Sequence, residues 1–169
     1  MGFKEVIASD LYGTLVKHRS LGIMHPNVYK LIKNLNKDII ILSSETPQAS
    51  EIICTNLKIK IVGAYGFGDV REEEEFFKGS IRVFEETKKY IERHFIPTAY
   101  ITSQNMDTVL AAHFFGKSLY CGEIDIIDQT SIFSSLLGIP SDKLLDKIYK
   151  FNWDELDSYK IKGLIDFLR

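Results

Sequence analysis

The sequence predicts an α/β fold, a three-layer sandwich in which helices cover both faces of a mostly parallel sheet. Apolar runs of strand length alternate with helical patterns from residue 4 to about residue 121, an order typical of parallel strands joined by helical crossovers. Runs such as residues 39–42 are apolar throughout, as expected of strands that are buried on both faces. Composition agrees, because 45% of the 169 residues are apolar, an ordinary fraction for a globular protein.

Strands are predicted where short apolar runs are bounded by polar or turn residues. They comprise residues 4–9, 38–42, 58–62, 98–101 and 118–121. Helices are predicted where apolar residues recur at helical spacing, with Pro26 near the first turn of one helix and Gly116 ending another. They comprise residues 25–35, 47–57, 80–95 and 106–115.

The alternation of strands and helices stops beyond about residue 129. Helical patterns with apolar faces follow at residues 131–137, 141–151 and 154–168. We therefore predict a core domain at residues 1–128 and a helical C-terminal extension at residues 129–169. The apolar faces of the extension would pack on the core or on a partner, and a second copy of the chain would give a homo-oligomer.

Charge and hydropathy argue against two classes of partner. A net charge of −2 provides no basic field for nucleic acid, and no apolar run approaches the ~20 residues needed to span a bilayer. The N-terminus enters a strand without a signal-peptide pattern. Cys54 and Cys121 are far apart in apolar contexts and are predicted to be buried thiols of a reducing compartment. These observations together favour the cytoplasm.

Asp10 is the first candidate for chemistry, because it follows the apolar run at residues 4–9 and precedes a Gly13–Thr14 turn. The carboxyl ends of parallel strands carry functional groups in folds of this kind, so Asp10 lies where a nucleophile would lie. The alternative is that its carboxylate only caps the following turn, as short polar side chains often do. Taken alone, this segment leaves both interpretations open.

Polar residues follow two other predicted strands and the acidic segment at residues 72–75. Ser43 and Ser44 offer hydroxyls for an oxyanion, and Lys78 offers a positive charge. The turn at residues 102–107 opens a helix, whose N-terminus favours anions. A carboxylate beside a lysine and hydroxyl donors suits displacement through a covalent aspartyl intermediate.

These segments, in this order, resemble motifs I to IV of the haloacid dehalogenase-like (HAD) hydrolase superfamily. The matching residues are 10–15 (Asp-Leu-Tyr-Gly-Thr-Leu), 42–44 (Leu-Ser-Ser), Lys78, and 102–104 (Thr-Ser-Gln) with Asp107. Tyr12 is similar to the residue found in the 2-haloacid dehalogenase branch. The resemblance implies a HAD-like, Rossmann-like parallel sheet and a hydrolase with an aspartate nucleophile.

The resemblance also implies a role for each residue. Asp10 would be the nucleophile, Thr14 and Ser43 would position the carboxylate and the substrate anion, and Lys78 would neutralise charge around Asp10. Asp107 would hold Lys78 or a metal. Substrate binding would involve Tyr12, Ser44, Ser103 and Gln104.

The motifs depart from those of HAD phosphatases at two positions. Tyr12 replaces the aspartate that acts as general acid, and Thr102–Ser103 replaces a Gly-Asp pair whose carboxylate binds Mg²⁺. A departing halide needs neither a proton nor a metal, so both changes favour a dehalogenase with no certain cofactor. If the protein is a phosphatase, Mg²⁺ would lie on Asp10 and Asp107.

The spacing between the first two motifs predicts that the protein has no cap domain. Residues 16–37 hold only a loop and one helix, whereas dehalogenases carry a helical cap with a substrate-binding arginine. Arg19 is the one arginine in this stretch, after Lys17 and His18. Capless members of the superfamily often act on large substrates, whose own bulk or a partner closes the site.

Three functions therefore remain open. The first is a HAD-like hydrolase with dehalogenase-like motifs, and the second is a Mg²⁺-dependent phosphatase. The substrate would be a small molecule or a phosphorylated macromolecule. The third is a degenerate domain that binds or assembles without catalysis, since fold alone does not decide function.

Overall fold

A six-stranded, fully parallel sheet forms the centre of the computed structural model, which describes residues 3–16 and 24–169. The strand order is β3-β2-β1-β4-β5-β6. The strands are β1 (Lys4–Ser9), β2 (Asp38–Ser43), β3 (Gly63–Gly66), β4 (Phe95–Thr102), β5 (Ser118–Tyr120) and β6 (Ile148–Lys150). The predicted α/β fold class is therefore confirmed.

Helices cover both faces of this sheet. Those of the described residues are α1 (Asn27–Leu35), α2 (Pro47–Asn56), α3 (Phe76–Ile91), α4 (Asn105–Phe114), α5 (Ile127–Leu137), α6 (Ser141–Leu145) and α7 (Ser158–Leu168), with a 3₁₀ turn at Trp153–Glu155. Side chains of α1, α2 and α7 pack on one face of the sheet. Those of α3, α4, α5 and α6 pack on the other face, which gives the three layers.

The central strand β1 is buried from both sides, and this burial explains its apolar sequence. Ile7 belongs to the core under α1 and α7, whereas Val6 and Ala8 belong to the core under α3 and α4. β1 pairs with β2 on one side and with β4 on the other, where Ser9 lies opposite Ile101. The order of the strands reverses at this point, and such a switch point opens a crevice at the carboxyl edge.

Two helices begin at residues whose side chains accept hydrogen bonds from free backbone N–H groups. The Thr46 hydroxyl accepts a hydrogen bond from the Ala49 N–H (3.2 Å), and Pro47 occupies the first turn of α2. The Glu75 carboxylate accepts hydrogen bonds from the N–H groups of Phe77 and Lys78 at the start of α3. These caps set where two helices begin at the carboxyl edge of the sheet.

The predicted strand at residues 58–62 is wrong, because the third strand begins at Gly63. Lys58 has a φ of 58°, and the Ile59 N–H bonds back to the Cys54 carbonyl, so the segment completes the turn after α2. Ile59 is buried in the core beneath that helix without joining the sheet. A buried segment outside the sheet has the same apolar pattern as a buried strand. The apolar pattern therefore led to the wrong prediction.

Several further boundaries differ from the prediction. The helix predicted at residues 80–95 is α3, which begins at Phe76 and ends at Ile91, and Phe95 already belongs to β4. The helix predicted at 141–151 is instead the short α6 followed by β6, whose Tyr149 lies opposite Leu119 in β5. Tertiary pairing overrode the helical pattern in this segment.

The C-terminal residues share the sheet and the core of the rest of the chain. Trp153 and Leu164 are buried in the same cluster as Ile7, and β6 extends the sheet beyond β5. The division at residue 128 and the homo-oligomer remain predictions.

Cys54 is buried and Cys121 is half-buried, with both thiols free. Within residues 3–16 and 24–169, no helix combines the length and apolar character needed to cross a membrane.

Candidate active site

Asp10 lies immediately after β1, at the switch point between β1 and β4. Its backbone N–H donates a hydrogen bond to the Ile101 carbonyl (2.9 Å) and so extends the pairing of the two strands by one residue. Its Oδ1 accepts from the Leu11 N–H (2.8 Å), and its Oδ2 accepts from the Thr14 hydroxyl (3.2 Å). These bonds hold the half-buried carboxyl group in one orientation.

Thr14 connects the loop after β1 with the loop after β4. Its Oγ1 accepts a hydrogen bond from the Ser103 N–H (3.0 Å) and lies 3.2 Å from the Ser103 hydroxyl. Gly13 makes this turn possible with a φ of +75°, and a β-carbon there would lie 3.4 Å from Ser103 Oγ. Thr14, which is itself held by Ser103, therefore fixes the position of the Asp10 carboxyl group.

The carboxyl edge holds a cleft of about 330 Å³ beside Asp10. It is lined by Asp10, Tyr12, Ser43, Ser44, Phe67, Gln104 and Asp107. All of these except Phe67 were predicted from the sequence as site residues. The structure thus brings together residues that are separated by up to 97 positions (107 minus 10) in the chain, as expected for the ends of neighbouring parallel strands.

The two carboxyl groups of the cleft bind protons more tightly than ordinary aspartates. Burial raises the pKa of Asp10 to about 6, against the opposing effect of its hydrogen bonds from Leu11 and Thr14. Burial, followed by the charge of Asp10, raises the pKa of Asp107 to about 7. No lysine or arginine of the described chain lines the cleft. A cation entering it would therefore be bound by two partly desolvated carboxylates.

Lys78 lies outside this cleft. Its side chain is exposed, and its backbone N–H donates to the Glu75 carboxylate (2.9 Å) in the first turn of α3. Its catalytic role remains a prediction. Residues 17–23, with Lys17, His18 and Arg19, lie outside the described residues, and the absence of a cap remains a prediction too.

The two serines at the end of β2 differ in depth. Ser43 is buried, and its hydroxyl accepts a hydrogen bond from the Glu45 N–H (3.1 Å). Ser44 is exposed at the cleft. The cap of α2 is Thr46, so neither serine is committed to that helix. Ser44 is the hydroxyl better placed to meet a ligand, and Ser43 supports the loop.

Phe67 and Gly122 contribute to the site but were not predicted from the sequence. Phe67 follows β3 and lines the cleft, and the misplacement of β3 hid its position. Gly122 follows β5, where a β-carbon would collide with the Ser103 carbonyl and lie 2.5 Å from the Tyr120 hydroxyl. A glycine after the fifth strand was the available signal for Gly122.

We expect Gly122→Ala to destabilise the protein by about 1–3 kcal/mol, because the loop carrying Ser103 must move. The same shift should weaken the support that Ser103 and Thr14 give to Asp10, and slow the reaction. Denaturant unfolding and steady-state kinetics measure both effects. Gly68→Ala is the matched control for stability, since a β-carbon at Gly68 meets no atom within 4 Å. Equal stability of the two variants would contradict the close contact.

Comparison with known proteins found a similarity to a solved structure. No family model matches the sequence, and no curated protein matches it. A solved structure of the cobalt-bound deoxy-D-mannose-octulosonate 8-phosphate phosphatase from Haemophilus influenzae is similar, with 19% identity and a TM-score of 0.40. The match covers 76% of this chain and 74% of that chain. The roles of the cleft residues accordingly depend on the geometry described above.

Proposed function

We propose that the protein is a HAD-like hydrolase that removes phosphoryl groups from phosphomonoesters and acyl phosphates, with Asp10 as nucleophile and Mg²⁺ bound by Asp10 and Asp107. The observation that carries the proposal is the pair of carboxyl groups with raised pKa values in one open cleft. A cation bound between the two groups would stabilise their charged form, and a phosphoryl group would supply further oxygen ligands for that cation.

The donor set fits Mg²⁺ better than a metal held by protein alone. The described residues contain no group of three or more metal-binding side chains. Mg²⁺ commonly binds through one or two carboxylates together with waters and substrate phosphate, and Asp10 and Asp107 can supply the two carboxylates. When bound, the ion neutralises charge on the attacking carboxylate and on the phosphoryl oxygens.

Residues of the chain supply the nucleophile and the hydrogen-bond donors to the phosphoryl group. The Asp10 carboxylate, held by Leu11 N–H and the Thr14 hydroxyl, attacks phosphorus and forms an aspartyl phosphate as the ester P–O bond breaks. The Ser44 hydroxyl and the Gln104 amide, both on the cleft wall, donate hydrogen bonds to the phosphoryl oxygens. Water then attacks phosphorus, which releases inorganic phosphate and restores Asp10.

A metal-free dehalogenase is the second candidate, and Tyr12 favours it. Tyr12 lines the cleft where the resemblance places the general acid of a phosphatase, and a departing halide needs no proton. The two reactions differ in the hydrolytic step. Water attacks the Asp10 ester carbonyl in dehalogenation, so that oxygen from heavy-oxygen water enters Asp10, whereas in a phosphatase it enters phosphate.

A comparison of two substrates tests the proposal on the wild-type protein. Acetyl phosphate and L-2-chloropropionate are each supplied with Mg²⁺ or with EDTA, and released phosphate and chloride are measured. We expect phosphate release that EDTA abolishes. Chloride release unaffected by EDTA would instead support the dehalogenase, and no release from either substrate would favour the non-catalytic alternative.

Tyr12→Asp should extend the activity to esters with poor leaving groups. A carboxylic acid at this position can protonate a departing alkoxide, and general acid catalysis of this kind contributes about 10²-fold or more. We expect kcat for ethyl phosphate to rise by about tenfold to a hundredfold, with little change for acetyl phosphate. Tyr12→Phe is the control and should show no gain. An unchanged rate in Tyr12→Asp would argue that position 12 does not reach the leaving group.

A further inference from the structure

A second, apolar pocket adjoins the cleft that holds Asp10. It lies between the loop after β3, the first turns of α3 and the start of α4, and we call it the apolar pocket. Its walls include Phe67, Val70, Phe76, Val83, Phe84 and Met106. Phe67 and Asp107 line both this pocket and the cleft, so that a ligand in one can extend into the other.

The apolar pocket has the size and the lining of a site for one aromatic ring. Its volume is about 180 Å³, and an engineered apolar cavity of about 150 Å³ in another protein binds benzene. Phe67 and Phe84 already pack with ring centroids 5.1 Å apart. A further ring placed against such side chains gains both apolar burial and aromatic contact.

The leaving-group chemistry of the cleft selects the same kind of substrate. The resemblance places a general acid at position 12, where this chain has Tyr12, and a phenol has a pKa near ~10. Tyr12 is therefore poorly suited to protonate an alkoxide as it departs. A phenolate is a far weaker base than an alkoxide and leaves without such help. An aryl leaving group thus fits the apolar pocket, and it can depart although the chain has no carboxylic acid at position 12.

We propose that the substrates are aryl phosphomonoesters, with the aryl ring in the apolar pocket and the phosphoryl group beside Asp10. This inference rests on the proposed phosphatase function and names its substrate class. The Asp10 carboxylate bonds to phosphorus, and the P–O(aryl) bond breaks with its electron pair going to the phenolate oxygen. Water then attacks phosphorus, and the P–O bond to Asp10 breaks, which restores the carboxylate. Phenol and inorganic phosphate are the products after the phenolate takes a proton from solvent.

Binding of two non-hydrolysable analogues tests the pocket separately from turnover. Phenylphosphonate and methylphosphonate are titrated in the presence of Mg²⁺, and their dissociation constants are compared. We expect phenylphosphonate to bind at least about tenfold more tightly, because only it carries a ring that can be buried. Phe76→Ala should reduce this preference by roughly three- to tenfold, since it removes one aromatic wall.

Matched variants keep the test specific. Phe76 and Phe3 are both 55% exposed, and Phe3 precedes β1 at the opposite edge of the sheet, so Phe3→Ala should leave the preference unchanged. Val70→Phe fills the apolar pocket and should abolish the preference for phenylphosphonate. A phosphotyrosine peptide assayed beside phenyl phosphate tells whether the ring belongs to a protein or to a small molecule, and hydrolysis of either in preference to ethyl phosphate supports the proposal.

The possible failures are distinguishable. Hydrolysis of acetyl phosphate that requires both Mg²⁺ and Asp10 supports the phosphatase function. If the two phosphonates nevertheless bind equally, the aryl assignment is wrong and the phosphatase function stands. The aryl assignment is also wrong if Phe76→Ala and Phe3→Ala have the same effect. If no phosphate is released from acetyl phosphate or phenyl phosphate, both proposals are overturned.

Discussion

Asp10→Asn should abolish phosphate release from acetyl phosphate, with a loss of at least about 10³-fold in kcat. The amide retains the size of the carboxylate, its oxygen can still accept the hydrogen bond from the Leu11 N–H, and its NH2 group can donate to the Thr14 hydroxyl oxygen. It has no anionic oxygen with which to attack phosphorus. The fold should therefore persist while the reaction stops, and steady-state kinetics with a circular dichroism spectrum would show both.

Asp125→Asn is the matched control for this variant. Asp125 lies on the loop after β5, and its Oδ1 accepts a hydrogen bond from the Ile127 N–H (3.0 Å), much as Asp10 accepts from Leu11. It does not line the cleft, so its activity should equal that of the wild type. Retention of more than about a tenth of the activity in Asp10→Asn would argue that another group attacks the substrate.

Asp107→Asn should weaken Mg²⁺ binding by at least about tenfold, because it removes one of two anionic ligands. Isothermal titration calorimetry measures this effect directly, and kcat should fall at limiting Mg²⁺. The control is Asp128→Asn, since Asp128 and Asp107 both lie in the first turn of a helix but Asp128 is exposed. Equal Mg²⁺ affinity in the two variants would exclude Asp107 as a ligand.

The same variant should change stability in a pH-dependent way. The pKa of Asp107 is raised to about 7, so the folded protein binds this proton more tightly than the unfolded chain. The associated stability is present at low pH and is lost as the pH rises toward 7. Without metal, the free energy of unfolding of Asp107→Asn should thus be higher than that of the wild type at pH 8. The expected difference is on the order of 1–2 kcal/mol after allowance for solvent in the open cleft. At pH 4 the difference should disappear.

Much of the fold followed from the sequence because its strands are buried on both faces. The apolar runs that became β1 and β2 have no other stable location than the centre of a sheet. β3 was missed because Gly63–Gly66 contains no β-branched residue, and β6 was missed because only pairing with β5 makes residues 148–150 a strand. Local patterns contain no information about such pairing.

The site was predictable to the extent that it depends on strand ends. Asp10, Ser44 and Gln104 each follow a parallel strand, so the topology alone brings them together. Lys78 lies instead in the first turn of a helix, where the direction of a side chain depends on the packing of that helix. The apolar pocket could not be predicted, because its walls come from a loop and two helices whose contacts are set by tertiary packing.

Borohydride trapping of the aspartyl phosphate is the most direct test of the central claim. The protein is mixed with Mg²⁺ and acetyl phosphate, treated with borohydride and digested, and the peptide that contains residue 10 is analysed by mass spectrometry. The account predicts homoserine at position 10, the product of reducing an acyl phosphate at Asp10, and its loss when Mg²⁺ is omitted. Phosphate release in the absence of any modification at Asp10 would contradict the account.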